Sequence, residues 1–171
     1  EKRKVDIVIA LGDSRIIPVK NFESLVIGNH GAPLPDVKGG ASLVWARMIN
    51  SGRWGVSLMI IDEKLDNGEV LGVSRFSFPV DLDMESFVSL CDRETIKLLD
   101  SYMKNSLSKP EKQNSPTMIS VKKGIDSELA AQIARLCIEK NHSIYLPSRT
   151  PKDSVVKSHW NEDFKQDFML A

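Results

Sequence analysis

Apolar residues along this chain fall into two kinds of run. The first is short and nearly unbroken: Val5 to Leu11 reads Val-Asp-Ile-Val-Ile-Ala-Leu, mostly β-branched or aliphatic, the pattern of a strand covered on both faces. Gly12-Asp13-Ser14 breaks it with a turn at the strand's carboxyl end, where open α/β sheets place their ligands. Ser24 to Ile27 predicts a second strand running into Gly28-Asn29-His30. Gly55 to Ile61 and Val70 to Phe78 predict two more. The polar stretch Asp62–Glu69 between them, with Asn67-Gly68 available for positive φ, joins these as an antiparallel hairpin.

The second kind has helical spacing. Ala41 to Asn50 predicts a helix with Leu43, Trp45, Ala46, Met48 and Ile49 as its apolar surface and Gly52 as its stop. Asp81 or Asp83 can cap a long helix reaching about Asn105, with Phe87, Val88, Cys91, Leu98, Leu99, Tyr102 and Met103 inward. Pro33 and Pro35 interrupt regular structure before the first helix, and Gly39-Gly40 permits an unusual backbone there. Residues 106–116, rich in Ser, Lys, Pro and Asn, read as a linker. Beyond it come a short strand at Ile119-Ser-Val, a helix from Ser127 to Glu139 that is apolar at Leu129, Ile133 and Leu136, and a short strand at Ile144-Tyr-Leu. The predicted organisation is an α/β domain over 1–105, a linker over 106–116, and a small α/β extension or tail over 117–171.

Composition narrows the functions. The chain has 171 residues, and 23 Lys and Arg balance 23 Asp and Glu. That balance provides no strong field to gather nucleic acid or an anionic membrane. No membrane-length apolar run or signal peptide is present, which predicts a cytoplasmic protein. Cys91 and Cys137 each sit in an apolar helical pattern and read as reduced, packed thiols, with a disulfide the alternative. His142 and His159 lack metal-ligand spacing, so no metal site is expected. The chain opens on Glu and runs at once into a buried strand, which reads as a cut through a larger protein.

The candidate chemistry lies at the second strand's end and in the hairpin turn. A histidine at a strand end beside glycines and a rigid Pro-Leu-Pro, with a carboxylate in a polar turn, is a minimal kit for moving a proton. If His30 and Asp66 meet, the carboxylate raises the imidazole pKa and fixes its tautomer. Alternation along a strand puts residues 28 and 30 on one face and points Asn29 away, unless the strand ends early.

The ordered set Gly12-Asp-Ser-Arg15-Ile16-Ile17-Pro18, Ile27-Gly-Asn-His30-Gly-Ala-Pro-Leu-Pro35, Gly39-Gly40, Trp45-Ala46, Ile49-Asn50, Gly55-Val-Ser and Asp62-Glu-Lys-Leu-Asp66-Asn-Gly68 resembles the formyltetrahydrofolate-dependent formyltransferase family over about residues 5–104. Members read roughly Gly-x-x-x-Ile-Leu-Pro, Asn-x-His-(Pro/Gly)-Ser-Leu-Leu-Pro, Arg-Gly, Gly-Val-Thr and Asp-Glu-x-x-Asp-x-Gly. The resemblance implies the C-terminal part of a doubly wound, Rossmann-like sheet, mixed parallel and antiparallel. It implies transfer of a formyl group from 10-formyltetrahydrofolate to a primary amine of a small acceptor. His30 would handle the proton and Asp66 would orient it, with Asn29 the available amide. Arg15, Ile16 and Ile17, with Asp62, Glu63 and Leu65 in the turn, would hold the pterin end of the folate.

The family's motif asparagine falls on Gly28 here and its motif serine on Ala32. Its sheet also has strands before Val5, which predicts either an upstream segment of the same protein or a neighbouring copy along that edge. The short, nearly neutral 117–171 segment favours a nucleotide-linked amino sugar over tRNA as acceptor. The alternatives are a degenerate family member kept as a binding or scaffold domain, and a formyltetrahydrofolate hydrolase in which water replaces the amine.

Overall fold

A computed structural model describes residues 5–12, 17–105, 118–120, 126–140 and 142–146. The strands are β1 (Ile7–Ala10), β2 (Leu25–His30), β3 (Val37–Gly39), β4 (Arg53–Ile60), β5 (Val70–Ser77), β6 (Met118–Ser120) and β7 (Ser143–Leu146). The helices are α1 (Ser42–Ile49), α2 (Met84–Met103) and α3 (Ser127–Glu139), with one 3-10 turn over Val19–Asn21. Four strands form a sheet in the order β1-β2-β4-β5, and three form a smaller one in the order β3-β7-β6.

The larger sheet is mixed. β1 runs parallel to β2, while β4 is antiparallel to both β2 and β5. The fold is therefore the α/β, mixed parallel and antiparallel architecture that the resemblance implies, and β1 stands at its edge among the described strands. A bulge between Leu58 and Met59 interrupts the β4–β5 ladder close to its turn.

α2 packs against β4 and β5 through Phe87, Cys91, Thr95 and Leu98. Asp83 caps it by accepting a hydrogen bond from Ser86 N–H at 2.8 Å. Phe78 and Phe87 meet with ring centroids 4.8 Å apart, and the Arg47 guanidinium lies over both rings. Met103, expected inside, is exposed, and Thr95 takes an inward position instead. Both cysteines are free and buried, and burial pushes the Cys91 thiol up to about 12.

Three local expectations need correction. α1 ends on Asn50, which takes the left-handed conformation at φ 45°, so Gly52 lies beyond the stop rather than making it. In the hairpin the positive φ falls on Asp66, at 49°, and not on Asn67 or Gly68. Gly68 is there for room, since a Cβ on it would collide with the Ile60 carbonyl oxygen. On α3 the apolar residues expected inside are mostly outside: Leu129 and Leu136 are exposed, and the buried positions are Ala130, Ala131, Ala134 and Cys137. The small residues let α3 lie close to α1, and Arg135 donates from its guanidinium to the Ile49 carbonyl at the end of α1.

The Pro-rich stretch contains the strand that the hydrophobic pattern did not reveal. β3 pairs with β7, the latter lying far along the chain, in parallel register from Val37–Ile144 to Gly39–Leu146. Residues on both sides of 106–116 contribute to one buried cluster, including Ile27, Trp45, Leu58, Phe87, Ala134 and Ile144. Among the described residues no helix is long and apolar enough to cross a membrane.

Candidate functional site

β2 continues as a strand through His30, whose register partner is Ser57 in the middle of β4. Beyond Ile60 the β2–β4 register runs one residue further, with Ile61 N–H bonded to the Val26 carbonyl, and the turn that follows folds back over the sheet on the side of Val26, Gly28 and His30. This brings the Asp66 carboxylate to the imidazole: Oδ1 lies 3.4 Å from His30 Nδ1, with the two side chains 8% and 10% exposed. The other oxygen, Oδ2, accepts a hydrogen bond from Gly39 N–H at 2.8 Å. Gly39 itself is at φ 109°, a conformation that L side chains rarely adopt, and a Cβ there would strike the Leu146 carbonyl. Glycine at 39 thus allows β3 to turn its N–H toward Asp66 while pairing with β7.

The second imidazole nitrogen is also engaged. His30 Nε2 is 3.1 Å from the Val37 carbonyl oxygen. Nδ1 faces a carboxylate and Nε2 a carbonyl, so the ring stands between two acceptors, and the nitrogen that carries the proton donates to the one it faces. Burial pulls the His30 pKa below its ordinary value; Asp66 and the Val37 carbonyl act in the opposite sense, and Lys38 adds to the lowering. Burial favours the neutral ring, and a second proton forms a cation bonded on both sides, to Asp66 and to Val37.

The loop between β2 and β3 is pinned from beneath by β4. Ser57 Oγ donates to the Ala32 carbonyl and accepts from Leu34 N–H, both at 2.8 Å, in a position with no solvent exposure. Trp54 Nε1 donates to the Gly31 carbonyl at 2.7 Å. The Leu34–Pro35 peptide is cis. Ser57 did not stand out as a site residue in the sequence. The available signal was a serine within the apolar run Val56-Ser57-Leu58, since a hydroxyl buried in a central strand needs partners.

The other expected residues distribute as follows. Asn29 lies opposite His30 by strand alternation, and its Oδ1 accepts from Gly12 N–H at 2.8 Å, tying the end of β1 to β2. The strand does not end early, so the structure does not bring Asn29 beside the imidazole. Asp62 is turned into its own loop, accepting from Lys64 N–H at 2.8 Å and from Asn67 Nδ2 at 3.3 Å. Glu63 pairs with Lys20 at 3.0 Å, which joins the hairpin turn to the segment after β1. Leu65 is 60% exposed at the tip of that turn, and Ile17 is half-buried at the start of the facing segment. Arg15 and Ile16 lie outside the described residues.

The position next to His30 on the same strand face is Gly28. A Cβ built there would stand 2.5 Å from Ile61 Cδ1, 2.9 Å from Ile61 Cγ1 and 3.2 Å from the Ala10 carbonyl oxygen. Ile61 therefore covers the place where a side chain at 28 would project.

No protein-family model matches this chain. It is 31% identical over 121 residues to the methionyl-tRNA formyltransferase of Myxococcus xanthus, covering 67% of this chain and 38% of that protein. It is 34% identical over 85 residues to the methionyl-tRNA formyltransferase of Synechococcus sp. strain CC9902, covering 48% and 24%. The chain thus spans well under half the length of these curated relatives. Among solved structures it resembles HypX from Aquifex aeolicus in complex with tetrahydrofolic acid (TM-score 0.53, 18% identity, 85% of this chain and 22% of that one). It also resembles the formyltransferase PseJ from Anoxybacillus kamchatkensis in complex with a formamido nucleotide sugar and tetrahydrofolate (TM-score 0.53, 23% identity, 64% and 63%).

Proposed function

We propose that this chain, a formyltransferase-family domain, transfers a formyl group from 10-formyltetrahydrofolate to a primary amine of a small acceptor. The observation that carries this reading is the buried His30–Asp66 pair, with the carboxylate steered by Gly39 N–H and the imidazole by the Val37 carbonyl. Such a pair suits acyl transfer to an amine, in which the attacking nitrogen must lose a proton and the leaving nitrogen must gain one. His30 takes the proton, Asp66 stabilises the resulting cation, and His30 returns the proton to the leaving nitrogen. The bond from formyl carbon to acceptor nitrogen forms as the bond to the folate nitrogen breaks. The folate, when bound, supplies the formyl group.

The residues fit such a donor. The exposed Leu65 offers an apolar face on a turn whose polar groups are otherwise satisfied, and the Lys20–Glu63 pair holds that turn against the segment beginning at Ile17. Leu65, the backbone of Asp62 and Glu63, and the Arg15–Ile17 segment would hold the pterin end. Relatives of similar fold crystallised with tetrahydrofolate support the same donor.

For the acceptor, the even charge balance favours a nucleotide-linked amino sugar over a tRNA, and the structure of PseJ holds a formamido nucleotide sugar. The curated relatives named for methionyl-tRNA support the other acceptor. A second reading, a domain that binds the donor with little turnover, draws on Gly28 and on the engagement of both imidazole nitrogens. The test is calorimetric titration of the full chain with a stable reduced-folate analogue, followed by transfer assays with amino sugars and methionyl-tRNA. Binding weakened by Leu65→Ser, with formyl appearing on an amino sugar and abolished by His30→Ala, is the expected result. Binding without transfer selects the second reading, and formate release without an acceptor selects hydrolysis. No binding at all overturns the folate assignment.

A further inference from the structure

We infer that Ile61 and Gly28 form a size-matched pair in which Ile61 excludes any side-chain hydrogen-bond donor from the His30 face of β2, making Ile61 a rate-determining position of this site. The inference rests on the formyl-transfer reading for its catalytic consequence and on geometry alone for its steric part. Three observations meet here. Residues 28 and 30 share a strand face, so a side chain at 28 would stand next to the imidazole. That place is filled, because both terminal carbons of the Ile61 ethyl arm lie within 3 Å of a Cβ at 28. Ile61 is not free to withdraw its backbone, since its N–H is bonded to the Val26 carbonyl and the following turn is fixed by Asp62 and Asp66. Space for a donor at 28 must therefore come from turning the Ile61 side chain aside or from shortening it, and a substitution at 28 alone has to displace that side chain.

The steric part is tested without any assay of activity. Gly28→Ala adds only the Cβ in question, at a position whose φ is ordinary for an L residue. Where the native geometry has room, such a change stabilises slightly by restricting the unfolded chain. Here we expect the full chain to lose roughly 2–8 °C in Tm, the range of a modest overpacking in a protein of this size. Ile61→Ala removes both clashing carbons and by itself lowers Tm through lost packing. In the double variant the two losses do not add: Gly28→Ala costs less in the Ile61→Ala background, where only the 3.2 Å approach to the Ala10 carbonyl oxygen remains. Additive losses overturn the pairing.

The catalytic part uses Gly28→Asn in the same cycle. An amide beside a reacting carbonyl is worth about 10²–10³ in rate where it acts as an oxyanion donor. Gly28→Asn alone should give no gain in formyl transfer, whereas Gly28→Asn with Ile61→Ala should exceed the parent by at least about tenfold. A double variant that shows the Tm coupling and binds the folate analogue but transfers no faster overturns Ile61 as the rate-determining position. Failure of all four proteins to bind the analogue instead removes the formyl-transfer reading, and the Tm cycle still decides the pairing.

Discussion

Two ion pairs join the stretch from His30 to Gly39 to the hairpin, Asp66 at His30 and Arg75 at Asp36, and they differ in kind. The Arg75–Asp36 pair is the shorter, at 2.7 Å, but its side chains are 50% and 27% exposed. The His30–Asp66 pair is longer, at 3.4 Å, and nearly closed to solvent. Water screens the first and competes for its partners, so breaking it costs little. In the second, each lost partner leaves a buried group unsatisfied. Distance ranks the two pairs one way, and burial ranks their energetic weight the other way.

The largest effect that would test this contrast is at Asp66. Asp66→Ala should destabilise by about 2–4 kcal/mol, because Gly39 N–H and the imidazole lose their partner together and alanine is strained at φ 49°. Formyl transfer should fall by about 10²–10³. Asp66→Asn keeps an acceptor and tolerates the backbone, so denaturant unfolding should show most of the stability kept while the rate is still lost. Equal stability losses in the two variants would mean that charge, not hydrogen bonding, holds the turn.

Ser57 extends the comparison to a neutral group. It sits under the same loop with no exposure, and Ser57→Ala should cost about 1–3 kcal/mol by leaving Leu34 N–H and the Ala32 carbonyl unpaired. A loss under half a kcal/mol would show the loop to be held mainly from its ends.

A smaller effect concerns pH. Burial lowers the His30 pKa below 6.5, so the unfolded chain binds that proton more readily than the folded one. The contribution is whole above pH 6.5 and is lost as the pH falls through the lowered folded value. Unfolding free energy should therefore drop between pH 7.5 and 5.5, and His30→Gln should flatten the dependence. A steeper dependence in the variant would place the pKa on the other side of 6.5. The smallest effect is at the exposed pair, where Arg75→Ala should change stability by no more than about 1 kcal/mol, and less in high salt.

How far the sequence could be read differs by element, for a common reason. α2 was legible because its apolar spacing and its Asp83 cap are local, and it packs on a flat sheet by that same face. α3 was not, because its leucines are more apolar than its alanines while its neighbour demands small residues at the contact. Close approach to α1 decided the face, and hydrophobicity did not. The hairpin was legible from alternation and turn residues, yet the positive φ went to Asp66, since the carboxylate had to reach Gly39 and His30. β3 was hidden by its prolines and by a pairing with β7 that lies over a hundred residues away.

By itself the sequence determined the strands and helices with local periodicity, the α/β class, and which two side chains, His30 and Asp66, could form a proton-handling pair. Those follow from spacing and residue chemistry. The tertiary structure alone decided that the two meet, that the Val37 carbonyl stands at the second imidazole nitrogen, that Asn29 reaches Gly12, and that Ile61 lies over Gly28. The His30–Asp66 and Ile61–Gly28 contacts depend on how the chain after β4 lies over β2, and the other two on where the segments flanking β2 are brought; no stretch of local pattern encodes such placements.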